Sequence, residues 1–196
     1  YLRHTRSGSF WKNNINRLWF GFVSTALVAA WAIQTPTAFA EKKPGTIEKC
    51  SYDEFRDVKE VKGKIMRVMD GDTVGIQVGK VAYSTRMLSV DTPETHYMGK
   101  SQGYWGDRAS EFTTKMLPLG TSVVLEFDRE KCDKYGRLLG HVWKDNIHVN
   151  RELVQTGFAV NYCIFPNMAY CEELARDTAD AIAERKNFLG DMGENG

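Results

Sequence analysis

The sequence has no surplus of charge of either sign. Over 196 residues, 26 Lys+Arg meet 25 Asp+Glu, a formal net of +1. Residues 1–40 hold four of the basic residues (Arg3, Arg6, Lys12, Arg17) and no acidic one, so the remainder carries 22 against 25, a net of −3. That balance excludes a nucleic-acid binder that works through bulk positive charge. If phosphates are handled, a few placed cations must do it. The sequence also lacks a clear membrane span: the apolar run Leu18 to Ile33 has sixteen residues, short of the roughly 20 a spanning helix needs. No Cys-x-x-Cys pair or close Cys/His spacing occurs, which argues against zinc. Internal repeats and low-complexity tracts are absent too.

What is present divides in two. Lys12 and Arg17 precede the apolar run, which closes on Ala38-Phe39-Ala40. A basic segment, a short apolar segment and an Ala-x-Ala site read as a secretory signal peptide cut after Ala40. The expectation is therefore an exported protein, periplasmic or secreted, with no stable membrane association once processed. Residues 41–57 are charged and aperiodic, a loosely held lead-in. Residues 58–190 form one domain and 191–196 a tail. A composition of 42% hydrophobic and 26% charged residues is ordinary for a globular domain. All four cysteines, Cys50, Cys132, Cys163 and Cys171, lie after the cut. An even count in an exported chain favours two disulfides. Of the three possible connectivities, Cys163–Cys171, closing a short loop around Pro166, with Cys50–Cys132 as the remainder, is favoured.

The domain reads as β-rich. Lys62–Met69 predicts a strand, Asp70-Gly71 a hairpin turn, and Val74, Ile76 and Val78 alternate as a half-buried strand. After Gly79-Lys80 a third strand runs from Val81 to Val90. Residues 95–103 read as a loop and Asp107–Met116 as a helix ended by Pro118-Leu-Gly120. Val123–Phe127 and Leu138–Trp143 are further strands. Asn150–Thr156 is a short helix capped by Gly157, and 168–187 a last helix. The fold class is α+β: an OB-type five-stranded antiparallel barrel with about three packed helices.

The chemistry gathers around Arg86-Met-Leu-Ser-Val-Asp-Thr-Pro-Glu94. Pro93 fixes its own φ and holds Thr92 out of the helical region, so the chain bends there. Asp72, after the hairpin turn, and Asp91, at the end of the third strand, can meet in a three-strand meander. With the Thr92 carbonyl they are hard oxygen ligands suited to Ca²⁺ in an open, wet site. Asp70 alone is an ordinary turn residue. Arg86 and Arg137 offer planar forks for phosphate oxygens, and Glu94 is placed to serve as general base or to orient a water. One tension follows: on a regular strand Arg86 and Asp91 have opposite parity and face opposite sides. His96, His141 and His148 show no ligand spacing and read as surface or satisfied positions.

Together, Asp70-Gly-Asp-Thr-Val74, Arg86 with Val90-Asp-Thr-Pro-Glu-Thr95, Asp133-Lys-Tyr-Gly-Arg137 and Val149-Asn150…Leu153-Val154…Gly157 resemble the thermonuclease (staphylococcal nuclease-like) family in order and spacing. The resemblance spans roughly residues 60–190. It implies calcium ligands Asp72, Asp91 and Thr92, and catalytic Arg86, Glu94 and Arg137. It also implies a monomeric nuclease that hydrolyses DNA and RNA to 3′-phosphorylated products. Tyr162 most nearly matches a base-stacking tyrosine of the family, and Tyr135 and Lys134 join it as substrate-binding positions. The cysteines are not part of the family's pattern, residues 96–105 are rearranged, and Phe188-Leu189 stands near the place of a C-terminal Trp. Two alternatives stay open: a non-catalytic nucleic-acid-binding module of the same fold, and an envelope nuclease attached to a DNA transfer or uptake system.

Overall fold

The computed structural model describes residues 46–95 and 103–194. The signal-peptide reading, His96, Tyr97, Met98 and Lys100 lie outside those residues. Among the described residues no helix is long and apolar enough to cross a membrane.

The chain opens with β1 (Ile47–Glu48) and a single helical turn, α1 (Tyr52–Phe55). The barrel follows as β2 (Glu60–Asp70), β3 (Thr73–Val78), β4 (Val81–Met87), β6 (Ser122–Glu126) and β7 (Leu138–Lys144). Between β4 and β6 come β5 (Val90–Asp91) and α2 (Tyr104–Met116). After β7 the order is β8 (Ile147–His148), α3 (Val149–Gln155), β9 (Val160–Asn161), α4 (Cys171–Ala183) and α5 (Asn187–Glu194).

Eleven residues make β2 long enough to serve two partners. Its first half pairs antiparallel with β6 and its second half with β3. Register shifts between Ile65 and Arg67 and between Val68 and Asp70 bend it around the barrel. The sheet runs β4-β3-β2-β6-β7 and closes through β4–β7. The expected barrel is there, with one difference: the closing pair is parallel, Thr85–Met87 against Leu138–Gly140, because the chain crosses over through α2 and β6 between them. Alternate residues point inward, so Ile65, Val74, Ile76, Leu125, Leu138 and Val142 are almost wholly buried.

Three boundaries differ from the sequence-based reading. The third strand stops at Met87; Ser89 adopts φ 63°, and β5 restarts against β9. The last helix breaks between α4 and α5, with Arg185 at φ 51° and Asn187 at φ 42°, which returns Leu189 to the core at 0% exposure. The stretch read as a loose lead-in is tied to the barrel: β1 pairs parallel with β4, and Phe55 (3% exposed) packs its ring 5.5 Å from Tyr83 and 5.4 Å from Phe127. The disulfides are Cys50–Cys132 and Cys163–Cys171, with no cysteine free.

Candidate active site

The turn from β2 to β3 places Asp70 and Asp72 on either side of Gly71. Thr92 presses against that turn so closely that a Cβ on Gly71 would lie 2.6 Å from the threonine hydroxyl oxygen. Glycine is required there by space. The contact locks Asp72: one carboxylate oxygen accepts from the Thr92 N–H at 3.0 Å and the Thr92 hydroxyl at 3.2 Å, the other from the Thr73 hydroxyl at 3.0 Å. Asp72 is only 1% exposed, and a carboxylate buried that deeply needs a countercharge. Arg86 supplies it through an ion pair between Nη1 and the Asp72 carboxylate.

Arg86 lies on β4 opposite Thr73 on one side and Leu139 on the other. Its Nη2 reaches Asp91 Oδ1 at 2.6 Å and donates to the Val90 carbonyl at 3.3 Å. One guanidinium therefore gathers both carboxylates that the sequence marks as metal ligands. The parity conflict disappears at Ser89. Its left-handed backbone ends the strand, and the bend is held from outside by Asn150 Nδ2 donating to the Leu88 carbonyl at 2.8 Å and the Tyr162 N–H donating to the Ser89 carbonyl at 3.0 Å. Asp91 is re-aimed toward Arg86 as a result.

Glu94 is partly buried beside this pair. Its carboxyl is pushed up to about 7, first by a hydrogen bond shared with Asp70, then by burial and by the Asp70 charge, with Arg86 pulling the other way. Asp70 is thus more than a turn residue. Its Oδ1 accepts from the Gly71 N–H at 2.9 Å, the Thr95 N–H at 3.3 Å and the Thr95 hydroxyl at 3.2 Å, and it carries Glu94's partner interaction. The sequence marks Asp72 and passes over Asp70, whose tie to Glu94 and Thr95 comes only from residues that dock on the turn from beyond β5.

Arg137 belongs to a different construction. It ends the Asp133–Arg137 turn, where Nε pairs with Asp133 Oδ2 at 2.6 Å and the guanidinium lies 5.5 Å from the Tyr135 ring centroid. Asp133 Oδ1 also accepts from the backbone N–H of Tyr135 and of Arg137, each at 2.9 Å. Gly136, at φ 82°, makes the reversal possible. Arg137 immediately precedes β7, two residues before Leu139, which is paired in register with Arg86. The structure gathers Asp72, Arg86, Asp91, Thr92 and Glu94 at one bend, and places Arg137 on a separate turn, where it lines a cavity of about 460 Å³ together with Leu88, just after β4, and Leu139 of β7. Lys134 and Tyr135 line that cavity; Tyr162, 53% exposed, sits at the end of β9 and is not among its lining residues.

Among the described residues no three His, Cys, Asp or Glu side chains cluster as a metal site. The donors on offer are the two carboxylates converging on Arg86. They fit a hard, oxygen-seeking cation in an open site and do not fit a closed structural cage. His141, on β7, and His148, on β8, are elsewhere, both buried, with their ring nitrogens 3.2 Å apart.

The family model described as Staphylococcal nuclease homologue matches residues 84–189. That span holds Arg86, Asp91, Thr92, Glu94 and Arg137; Asp72 lies before it. A thermonuclease of Staphylococcus hyicus is 35% identical over 125 residues, covering 64% of this chain and 73% of that protein. An uncharacterised protein of Bacillus anthracis is 32% identical over 143 residues, covering 69% of this chain and 66% of its own length. The SPbeta prophage-derived endonuclease YokF of Bacillus subtilis is 34% identical over 138 residues, covering 66% of this chain and 46% of that protein. The chain thus spans between about half and three quarters of the length of these relatives.

Proposed function

The chain belongs to the staphylococcal nuclease homologues, and from that membership we propose that it is a Ca²⁺-dependent nuclease that hydrolyses phosphodiester bonds of DNA and RNA to 3′-phosphorylated products. The observation that carries the reading is the convergence of Asp72 and Asp91 on the Arg86 guanidinium, with Glu94 held beside them. Two carboxylates sharing one cation are a ready pair of hard ligands, and Thr92 lies against them. When bound, Ca²⁺ supplies positive charge next to the phosphate and lowers the cost of attack.

The protein's own groups do the rest. Glu94 accepts the proton of the attacking water or orients it. Arg86 exchanges a carboxylate partner for phosphate oxygens, and Arg137 pairs with the equatorial oxygens as charge develops on them. Export, a monomeric state, a base-stacking role for Tyr162 and substrate binding by Tyr135 and Lys134 belong to the same proposal. Two disulfides support the first of these, since such bridges persist in oxidising compartments.

The experiment is plasmid and RNA cleavage by purified protein in Ca²⁺, in Mg²⁺ and with chelator. Cleavage is expected in Ca²⁺ and lost with chelator, with little turnover in Mg²⁺, whose strict octahedral geometry two carboxylates fixed around Arg86 suit poorly. Equal turnover in Mg²⁺ alone overturns the metal assignment. Binding of DNA without any cleavage makes the chain a binding module.

A further inference from the structure

The turn that carries Arg137 is braced from outside the barrel. Cys132 immediately precedes it and is bonded to Cys50, 82 residues earlier. The Cys50 N–H donates to the Gly136 carbonyl at 2.8 Å. Lys49 lies over Gly136, where an added Cβ would meet the lysine side chain at 2.9 Å. The segment bearing Lys49 and Cys50 is itself fixed at both ends. Ile47–Glu48 pairs with Ala82–Tyr83 of β4, Phe55 is in the core, and the Tyr83 hydroxyl donates to Glu54 at 2.7 Å. Apart from this brace, the turn rests on hydrogen bonds within Asp133–Arg137 and on the Leu139 N–H donating to the Lys131 carbonyl at 2.8 Å across its base, and Tyr135 at its tip is 65% exposed.

We propose that Cys50 and Cys132 are positioning residues for Arg137, and that their disulfide gates cleavage by redox state. The inference rests on the nuclease reading for its consequence and on geometry alone for its cause. Oxidised, the bond joins the turn to a segment anchored on β4 and in the core. Reduced, the turn keeps one intersegment N–H···O bond and the Lys49 contact. It then samples positions in which Arg137 no longer meets the reacting phosphate, and misplacement of a positioned group by about 1 Å can cost about 10²-fold in rate. Chemically, the two thiols lose two protons and two electrons to a disulfide oxidant, which leaves as a dithiol; a dithiol reductant reverses the exchange. Both cysteines are only partly buried, so such a reagent can reach them. A chain made in a reducing compartment would then carry a slack catalytic turn until it is oxidised.

The test compares the oxidised protein, the same protein in excess dithiothreitol, Cys50→Ala/Cys132→Ala, and Cys163→Ala/Cys171→Ala, with melting curves to confirm the fold. Loss of the first bridge, by mutation or reduction, should lower kcat by about tenfold or more while KM changes by less than about threefold. Loss of the second should leave kcat within about threefold. In an Arg137→Ala background, removing Cys50 and Cys132 should cost less than about twofold more, because coupled residues are not additive. An activity-independent readout accompanies these: amide exchange at Tyr135 and Arg137 should accelerate on reduction while that of Val142 on β7 holds. Unchanged exchange in the reduced protein overturns the brace, whether or not DNA is cleaved. Full additivity with Arg137→Ala overturns its route through Arg137. If exchange responds but the oxidised protein cleaves nothing, the brace stands, the gate on cleavage falls, and it is the nuclease reading that fails.

Discussion

The two ends of the site are built by different physics. At the Asp72 end, the buried groups are set by the barrel: Thr73 and Leu139 flank Arg86 in register, and Thr92 fills the space over Gly71, while Asp91, 45% exposed, is aimed by the Ser89 bend that Asn150 and Tyr162 hold. Asp72 is almost wholly buried, and its partners are three protein donors and a guanidinium. At the Arg137 end, the side chain leaves a tight turn with 32% of its surface exposed, and its orientation depends on Asp133 and on a segment that precedes the barrel. Asp72 and Arg86 move only with the β2–β3–β4 ladder; Arg137 leaves a turn outside any strand, and there the Cys50–Cys132 bond supplies the tie that the ladder does not. Charge stabilisation of a transition state needs fixed donors, so the less rigid end is where support from outside has the most to contribute.

The comparison breaks if the two ends respond alike to truncation. Glu94→Ala should lower kcat by about 10²–10⁴, as for a lost general base, and Arg137→Ala by about 10²–10³, as for one lost oxyanion donor. For Arg137→Ala the stability change should stay within about 1 kcal/mol, because its pair with Asp133 is partly exposed and screened. Kinetics on a labelled oligonucleotide, read with denaturant midpoints, check both. Retention of cleavage within about tenfold, only ~1.4 kcal/mol, places the chemistry elsewhere.

A third substitution asks whether the segment before the barrel is part of the cooperative unit, as the brace requires. Phe55 is buried against Tyr83 and Phe127. Phe55→Ala should cost about 3–5 kcal/mol of unfolding free energy in urea. A loss below about 1 kcal/mol would mean that the segment opens independently of the barrel and cannot hold the turn.

The residues show why one end was the more legible. The alternation of Val74, Ile76 and Val78 and the bend at Pro93 are local signals, and the structure follows them. The strand break at Ser89 has no local signal: its left-handed backbone is imposed by Asn150 and Tyr162 gripping the two carbonyls, and both are more than 60 residues away. The same holds at Arg185 and Asn187, where the chain turns so that Leu189 can be buried. Phe55 is a lone apolar anchor in a charged stretch, so periodicity could not reveal it. Asp70 and Asp72 are chemically identical in sequence, and only Thr92 and Glu94, docking from β5 and beyond, assign them different partners.

The smallest expected effect sharpens the comparison through pH. His141 on β7 and His148 on β8 pack together, with Trp143 stacked on His148 at 4.4 Å and Tyr170 at 4.7 Å from it. Asn150 links this cluster to the Leu88 carbonyl and hence to the Asp72 end. The neighbouring ionisable groups are Glu126, which accepts from Tyr170 and Trp143, and Arg151 and Asp177, which act on His148 in opposite senses. Burial, followed by the partner histidine, lowers His141 to about 3; burial, followed by Arg151, lowers His148 to about 4. Both folded values lie below the unfolded value near 6.5. The unfolded chain therefore binds more protons as pH falls: the contribution is intact above about 6.5 and is lost progressively toward 4 and 3. Between pH 6 and 5 the pair should remove roughly 2 kcal/mol of stability, and His148→Gln should recover roughly 1 kcal/mol of that loss. Glu94, raised toward 7, contributes with the opposite sign, but it is common to both proteins and cancels in the difference. Urea unfolding at the two pH values measures it. An identical loss in wild type and variant would detach the histidines from the acid response; a loss smaller by roughly 1 kcal/mol in the variant would assign that share of it to His148.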